Sequence, residues 1–266
     1  MMSVFKKEFR AKWVSLLVYC LVVAGLAWMY IALYPSIQAQ AAALTKALGS
    51  LGSALKAFGI KSFSFDTLEQ YLSVELFGIT WPILAITFVA ARAGQAIAGE
   101  TEKGTMGTLL ALPVSRSRLF LSKYWAGLVA VIIFVGVTVF TALPVAAAYG
   151  IKYQTSNFVS LAPLCLLFSW ALYSLGMLLS ALFNEKGHVY LVLGGILLMM
   201  YVANVVAGIS DNLNWLQYGS LFHYFNASDV LVSGQTSLLS YTIFGSIIVI
   251  TTLAGMAWFA RKDVIV

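Results

Sequence analysis

Residues 119–148 read LFLSKYWAGLVAVIIFVGVTVFTALPVAAA, a run whose one charged residue is Lys123. A helix needs ~20 mostly apolar residues to cross the hydrocarbon of a bilayer, and this run exceeds that. It lacks the apolar–polar alternation of a barrel strand. Outward from it, further apolar runs fall at about Trp13–Leu33, Leu76–Ala91, Phe158–Phe183, Val189–Ile209 and Leu238–Ala260. In hydrocarbon each backbone amide must find its partner within its own segment, so helices are expected. The expected fold class is an all-α integral membrane protein: one transmembrane domain over 1–266, built of six helices.

Composition agrees. Of 266 residues, 61% are hydrophobic and 10% charged, where a soluble domain carries roughly a quarter charged residues. A water-soluble globule is excluded. Cys20 and Cys165 both lie in apolar runs, which argues against a disulfide framework or thiolate metal site. The formal charge of +6 is not gathered with aromatics on one soluble face, so nucleic acid is not an expected partner. The basic residues report orientation instead. Lys6, Lys7, Arg10, Lys12, Arg92, Lys103, Arg116, Arg118, Lys123, Lys186, Arg261 and Lys262 fall on one side of the alternation, and Lys46, Lys56, Lys61 and Lys152 on the other. The majority side is expected to be cytoplasmic. That gives a multi-pass plasma-membrane protein with both termini inside.

The start of the chain could be mistaken for a secretory signal, with Ala39-Gln40-Ala41 as a cleavage site. Its apolar run is too long for that and contains Trp28, Met29 and Tyr30. Phe5, Phe9 and Trp13 share a helical stripe opposite Lys7 and Arg10, which predicts a short amphipathic helix over 1–12 lying on membrane lipid. Two external segments stand out. Residues 34–72 carry Ile37, Ala41, Leu44, Leu48, Leu51, Leu55 and Phe58 at helical spacing, predicting an amphipathic helix. Residues 210–236 hold Trp215, Tyr218, Phe222, His223, Tyr224 and Phe225, a composition suited to an interfacial or re-entrant element.

Catalytic signatures are missing from the sequence. It has no Gly-rich phosphate loop and no His-Glu-x-x-His, and its histidines are His188 and His223. Within the spans only Glu75 and Arg92 resemble the ionisable groups of coupled carriers, and both sit near span ends. The chain is therefore not expected to be an enzyme. On these grounds alone, a stand-alone carrier or channel and a membrane-remodelling protein stay open.

The stretch 94–118 between the second and third spans mixes charge, glycine and apolar residues. Glu100, Lys103 and Gly104 share a helical face at i, i+3 and i+4. Thr105 is placed to cap a second short helix bearing Leu109, Leu110 and Leu112; Pro113 stops that helix, and Ser115 caps the third span. This predicts a charged projection below the membrane. The run Ile97-Ala-Gly-Glu-Thr-Glu-Lys-Gly-Thr105, with Leu109-Leu-Ala-Leu-Pro-Val-Ser-Arg116 and Lys123 beyond it, resembles the signature of permease subunits of ABC-2 class ATP-binding cassette exporters. Phe58-Gly-Ile60, Leu72-Ser-Val-Glu-Leu-Phe-Gly78 and the stretch from Trp215 to Phe225-Asn-Ala-Ser-Asp229 are similar to the family as well. Two departures are Met106-Gly107-Thr108, where a Leu-Glu-Leu-like triplet is common, and Ser122, where glycine usually precedes Lys123.

The resemblance implies that residues 1–12 form an elbow helix with Phe5, Lys7, Phe9, Arg10 and Trp13 at the inner interface. It implies that Ile97, Gly99, Glu100, Thr101, Glu102, Lys103, Gly104 and Thr105 form a coupling helix, with Glu100 and Glu102 in polar contact with an ATPase and Gly99 and Gly104 allowing close approach. Two cytosolic ATPase subunits, which would hold ATP and Mg, and a second permease copy are the implied partners. No cofactor or metal is implied on this chain.

Overall fold

A computed structural model describes residues 2–40, 65–111, 113–209 and 211–262. Helix α1 (Met2–Ala11) is followed after Lys12 by α2 (Trp13–Ala39). The second span is α3 (Leu68–Val74), a π-helical turn (Glu75–Thr80) and α4 (Trp81–Gly94). Short helices α5 (Ala98–Glu102) and α6 (Met106–Leu110) lead to α7 (Arg116–Ala148), α8 (Thr155–Leu182) and α9 (Lys186–Ile209). A 3₁₀ helix (Asp211–Gly219), α10 (Leu221–Tyr224) and α11 (Ala227–Ser233) precede α12 (Leu238–Arg261). No strand occurs among the described residues.

Among the described residues, six helices are long and apolar enough to cross a membrane. Their bounds exceed the apolar runs because polar end turns continue the same helices. The first passes through Pro35 to Ala39, beyond the expected end at Leu33. The second starts at Leu68 instead of Leu76, where Thr67 and Gln70 form a reciprocal capping box with both bonds at 3.3 Å. The amphipathic helix expected within 34–72 falls mostly on residues outside the described set; Ile37 belongs to α2.

The π turn has a local cause. Pro82 lacks an N–H and its ring would collide with the carbonyl four residues back. The wider turn moves that carbonyl: the Trp81 N–H donates to Leu76 O, and the Thr80 hydroxyl donates to Glu75 O at 2.9 Å.

Helix α8 is the centre of the bundle: 56% of its most apolar window is buried, against 17% for α9. Around it the core is aromatic. Trp81 is fully buried, its ring 6.2 Å from Phe168, 6.5 Å from Phe134 and 5.3 Å from Phe225, and its indole N–H donates to the Thr138 hydroxyl at 3.2 Å. Phe225 comes from the polar, aromatic segment after α9, so that segment enters the bundle. Its neighbours Leu221, Ala227, Val230 and Leu231 are buried as well, while Trp215 and Tyr218 stay exposed. Close helix contact depends on glycine at Gly127 and Gly176. A Cβ there would lie 2.0 Å from the Tyr173 hydroxyl and 2.7 Å from the Ala93 Cβ, respectively.

Candidate functional site

The projection between the second and third spans is fixed from three sides. After α4 the chain turns through Gln95 and Ala96, and the backbone N–H groups of Ile97 and Ala98 both donate to Ser180 Oγ in α8, at 3.2 and 3.0 Å. Ser180 is fully buried, so it supplies to two free helix-start amides the acceptor that water would otherwise give. Ser180→Ala leaves both donors without a partner, at about 1–3 kcal/mol for each. The expected result is a lower melting temperature in detergent and faster tryptic cleavage after the exposed Lys103.

Helix α5 ends in a full Schellman motif. Gly104 has φ +71°, its N–H donates to Thr101 O, and the Thr105 N–H donates to Glu100 O, both at 3.0 Å. Gly104 is thus required by the turn itself, and the space around it is open. Because the helix ends at Glu102, Gly104 does not continue the face of Glu100 and Lys103. Gly99 is buried against the Gly94 carbonyl and Gln95, so the close approach it permits is to its own chain. Thr105 does not cap α6: its hydroxyl donates back to Glu100 O at 3.1 Å and to Glu100 Oε2. Despite Gly107, α6 forms, with Met106 and Leu109 buried. Ser115 caps α7, its hydroxyl accepting from the Arg118 N–H.

Both acids are paired within the chain, Glu100 toward the bundle and Glu102 at its surface. Glu100 Oε1 lies 3.5 Å from Lys123 Nζ, and that ammonium lies 2.8 Å from Glu8 Oε2 in α1. Glu8 is also ion-paired with Lys12. Burial would raise the Glu8 carboxyl, but Lys123 and Lys12 more than offset this and hold it below its usual range. Burial lowers Lys12 in spite of Glu8. Glu102 Oε1 meets Lys186 Nζ at 3.1 Å, and Oε2 accepts the Lys186 backbone N–H at 3.0 Å, which lowers its carboxyl. What the projection leaves exposed is Lys103, Gly104, Thr105 and Thr108, with part of Glu102. The Glu100 carboxylate is thus engaged within the chain, by Lys123 and by the Thr105 hydroxyl.

The N-terminal helix belongs to the same site. Phe5 and Phe9 stack at 6.4 Å with nearly parallel rings, while Lys7 and Arg10 are exposed. Trp13 lies beyond the break at Lys12, in α2, and is 51% exposed. Arg92, at the end of the second span, sits 5.3 Å over the Phe88 ring and its Nη2 donates to Lys12 O at 2.9 Å. Lys262, just past α12, donates to the carbonyls of Ala181, Leu182 and Phe183.

Sequence reading singled out neither Glu8 nor Ser180, and used Lys123 and Arg92 chiefly as orientation charges. Signals existed for two of them. Glu8 is the sole acid before Asp66, and Lys123 the sole charge in the run 119–148.

Six apolar helices and an ion-paired end that gathers α1, the projection and the ends of four spans define a polytopic helical membrane protein. The family described as ABC-2 family transporter protein matches residues 2–264, and the chain belongs to it. It is the membrane component of an ATP-binding cassette transporter, and permeases of this family generally partner with ATP-binding cassette subunits. No curated protein matches the chain.

Proposed function

We propose that the chain is the permease of an exporter, and that its 97–105 projection seats in a groove of a separate ATP-binding cassette ATPase. Two such subunits, holding ATP and Mg, would act on two permease copies, identical or paralogous. In this reading the termini and the projection lie on the cytoplasmic side of the plasma membrane, with α1 in the inner interface.

One observation supports it most: the projection is anchored to three spans while its tip, Lys103 to Thr105, is exposed. A solvated connector needs no such fixation. A push on the tip would be delivered as a rigid-body displacement. The routes are α8 through Ser180, α7 through Lys123 and α9 through Lys186, together with the second span through its covalent continuation.

Because Glu100 and Glu102 serve internal pairs, reversing their charges would disturb the bundle as well as any docking. The cleaner test is a cysteine at 103 or 108 in the chain coexpressed with its ATPase. Cross-linking of that thiol to the ATPase by a short thiol-to-amine reagent, and labelling of residue 103 from the cytoplasmic side only, are the expected results. Labelling of residue 103 from outside the cell would overturn the assignment.

A further inference from the structure

Lys123 joins two elements that the chain keeps far apart. Its ammonium, on a side chain only 2% exposed, lies 2.8 Å from Glu8 in α1 and 3.5 Å from Glu100 in α5. An ammonium that deep is costly unless paired and hydrogen-bonded, and removing either carboxylate leaves it undercompensated. The Glu102–Lys186 pair differs: both side chains are at least a third exposed, so solvent screens it.

A second attachment runs beside the first. Lys12, ion-paired with Glu8, donates to the Gln95 carbonyl at 3.2 Å, and Gln95 begins the turn into the projection. Arg92 grips the Lys12 carbonyl from the other side of that turn. Helix α1 is thus fastened both to the base of the projection, at Gln95, and to its helix, at Glu100. At 100° per residue, the exposed Lys6, Lys7 and Arg10 occupy the arc of α1 turned away from Glu8, so the fastening uses one face only.

We infer that Lys123 is a positioning residue that makes the N-terminal helix and the projection one moving body. Displacing the projection then carries α1 with it, and α1 passes the motion into the first span across Lys12. The first span is thereby connected to the projection without passing through the long segment that joins it to the second. The consequence for transport rests on the docking reading above, whereas the link is tested with no ATPase present.

The probe is a nitroxide on Lys103→Cys, in the full chain with Cys20→Ala and Cys165→Ala, reconstituted in phosphatidylcholine vesicles and read by electron paramagnetic resonance. Glu8→Gln, in α1, is expected to raise the mobile fraction of the label at 103 at least about twofold. That corresponds to ~0.4 kcal/mol, just under the lower end of coupling within one ion-pair network. Combining Glu8→Gln with Glu100→Gln should give less than the product of the single effects, and Lys6→Gln on the exposed arc should give no change. Should Glu8→Gln fail to fold, Glu8→Asp keeps the charge, shortens the reach and should show the same direction. An unchanged spectrum at 103 with a folded Glu8 variant, while Glu100→Gln loosens the label, would overturn the inference: the projection would hang on Lys123 alone.

Discussion

Lys123→Met is expected to destabilise the bundle by about 3–5 kcal/mol, the cost of breaking a buried ion pair by removing one partner. Glu8, whose side chain is 11% exposed, would keep only Lys12, and Glu100 would lose its inward partner. The size of the loss comes from the carboxylate left behind more than from the attraction removed. The triple change Glu8→Gln, Lys123→Met and Glu100→Gln is accordingly expected to recover part of the stability: no carboxylate is then stranded, and Lys12, which loses its ion pair with Glu8, keeps the Gln95 carbonyl. Thermal denaturation in detergent, followed by the fraction that still elutes as a folded species, separates the two variants. Equal melting temperatures for the single and triple variants would show that the three groups do not act as a unit.

Gly127→Val should be nearly as damaging. The first carbon of any side chain at 127 would fall 2.0 Å from the Tyr173 hydroxyl and 2.5 Å from the ring carbon that bears it. Tyr173 has nowhere to retreat: it is fully buried, and its hydroxyl donates to the carbonyls of Lys123 and Tyr124 at 3.3 and 3.2 Å. Overpacking of this kind, backbone shifts included, costs about 1–3 kcal/mol and occasionally more. Here the shift would separate α7 from α8 one turn above Lys123. It would also strain the polar cross-link of Tyr124 to Trp170, Ser174 and Thr252. Gly127→Ala with Tyr173→Phe should melt higher than Gly127→Ala alone, because the nearest colliding atom is gone. No difference between them would place the strain elsewhere.

The spans were readable in the sequence because lipid imposes a length and a polarity on each crossing, and both survive as uninterrupted apolar runs. Where the reading stopped short, as at Leu33 and Leu76, the cause was polar residues that extend a helix past its apolar stretch. Thr67 and Gln70 in their capping box are the plainest case. The location of the projection was legible for a similar reason: Pro113 and Ser115 act through backbone geometry that follows from residue type, whereas Gly104, expected on a helical face, instead closes the helix. The partners of its side chains were not. Whether Glu100 points outward or toward Lys123 depends on where α1 and α7 come to lie, and pairing between residues 23 and 115 positions apart leaves no periodic trace. The same holds for Ser180, one hydroxyl among several in an apolar helix, whose value lies in facing two amides at the start of α5.

The ammonium of Lys262 has a practical corollary. Sitting against the carbonyls at 181, 182 and 183, it satisfies the negative end of the fourth span's dipole, and burial lowers its proton affinity there. A fusion junction, affinity tag or stop codon introduced upstream of residue 262 would strip that cap from a helix belonging to a different part of the chain. Expression vectors for this transporter component should keep the natural residues through Lys262 and append foreign sequence only after them.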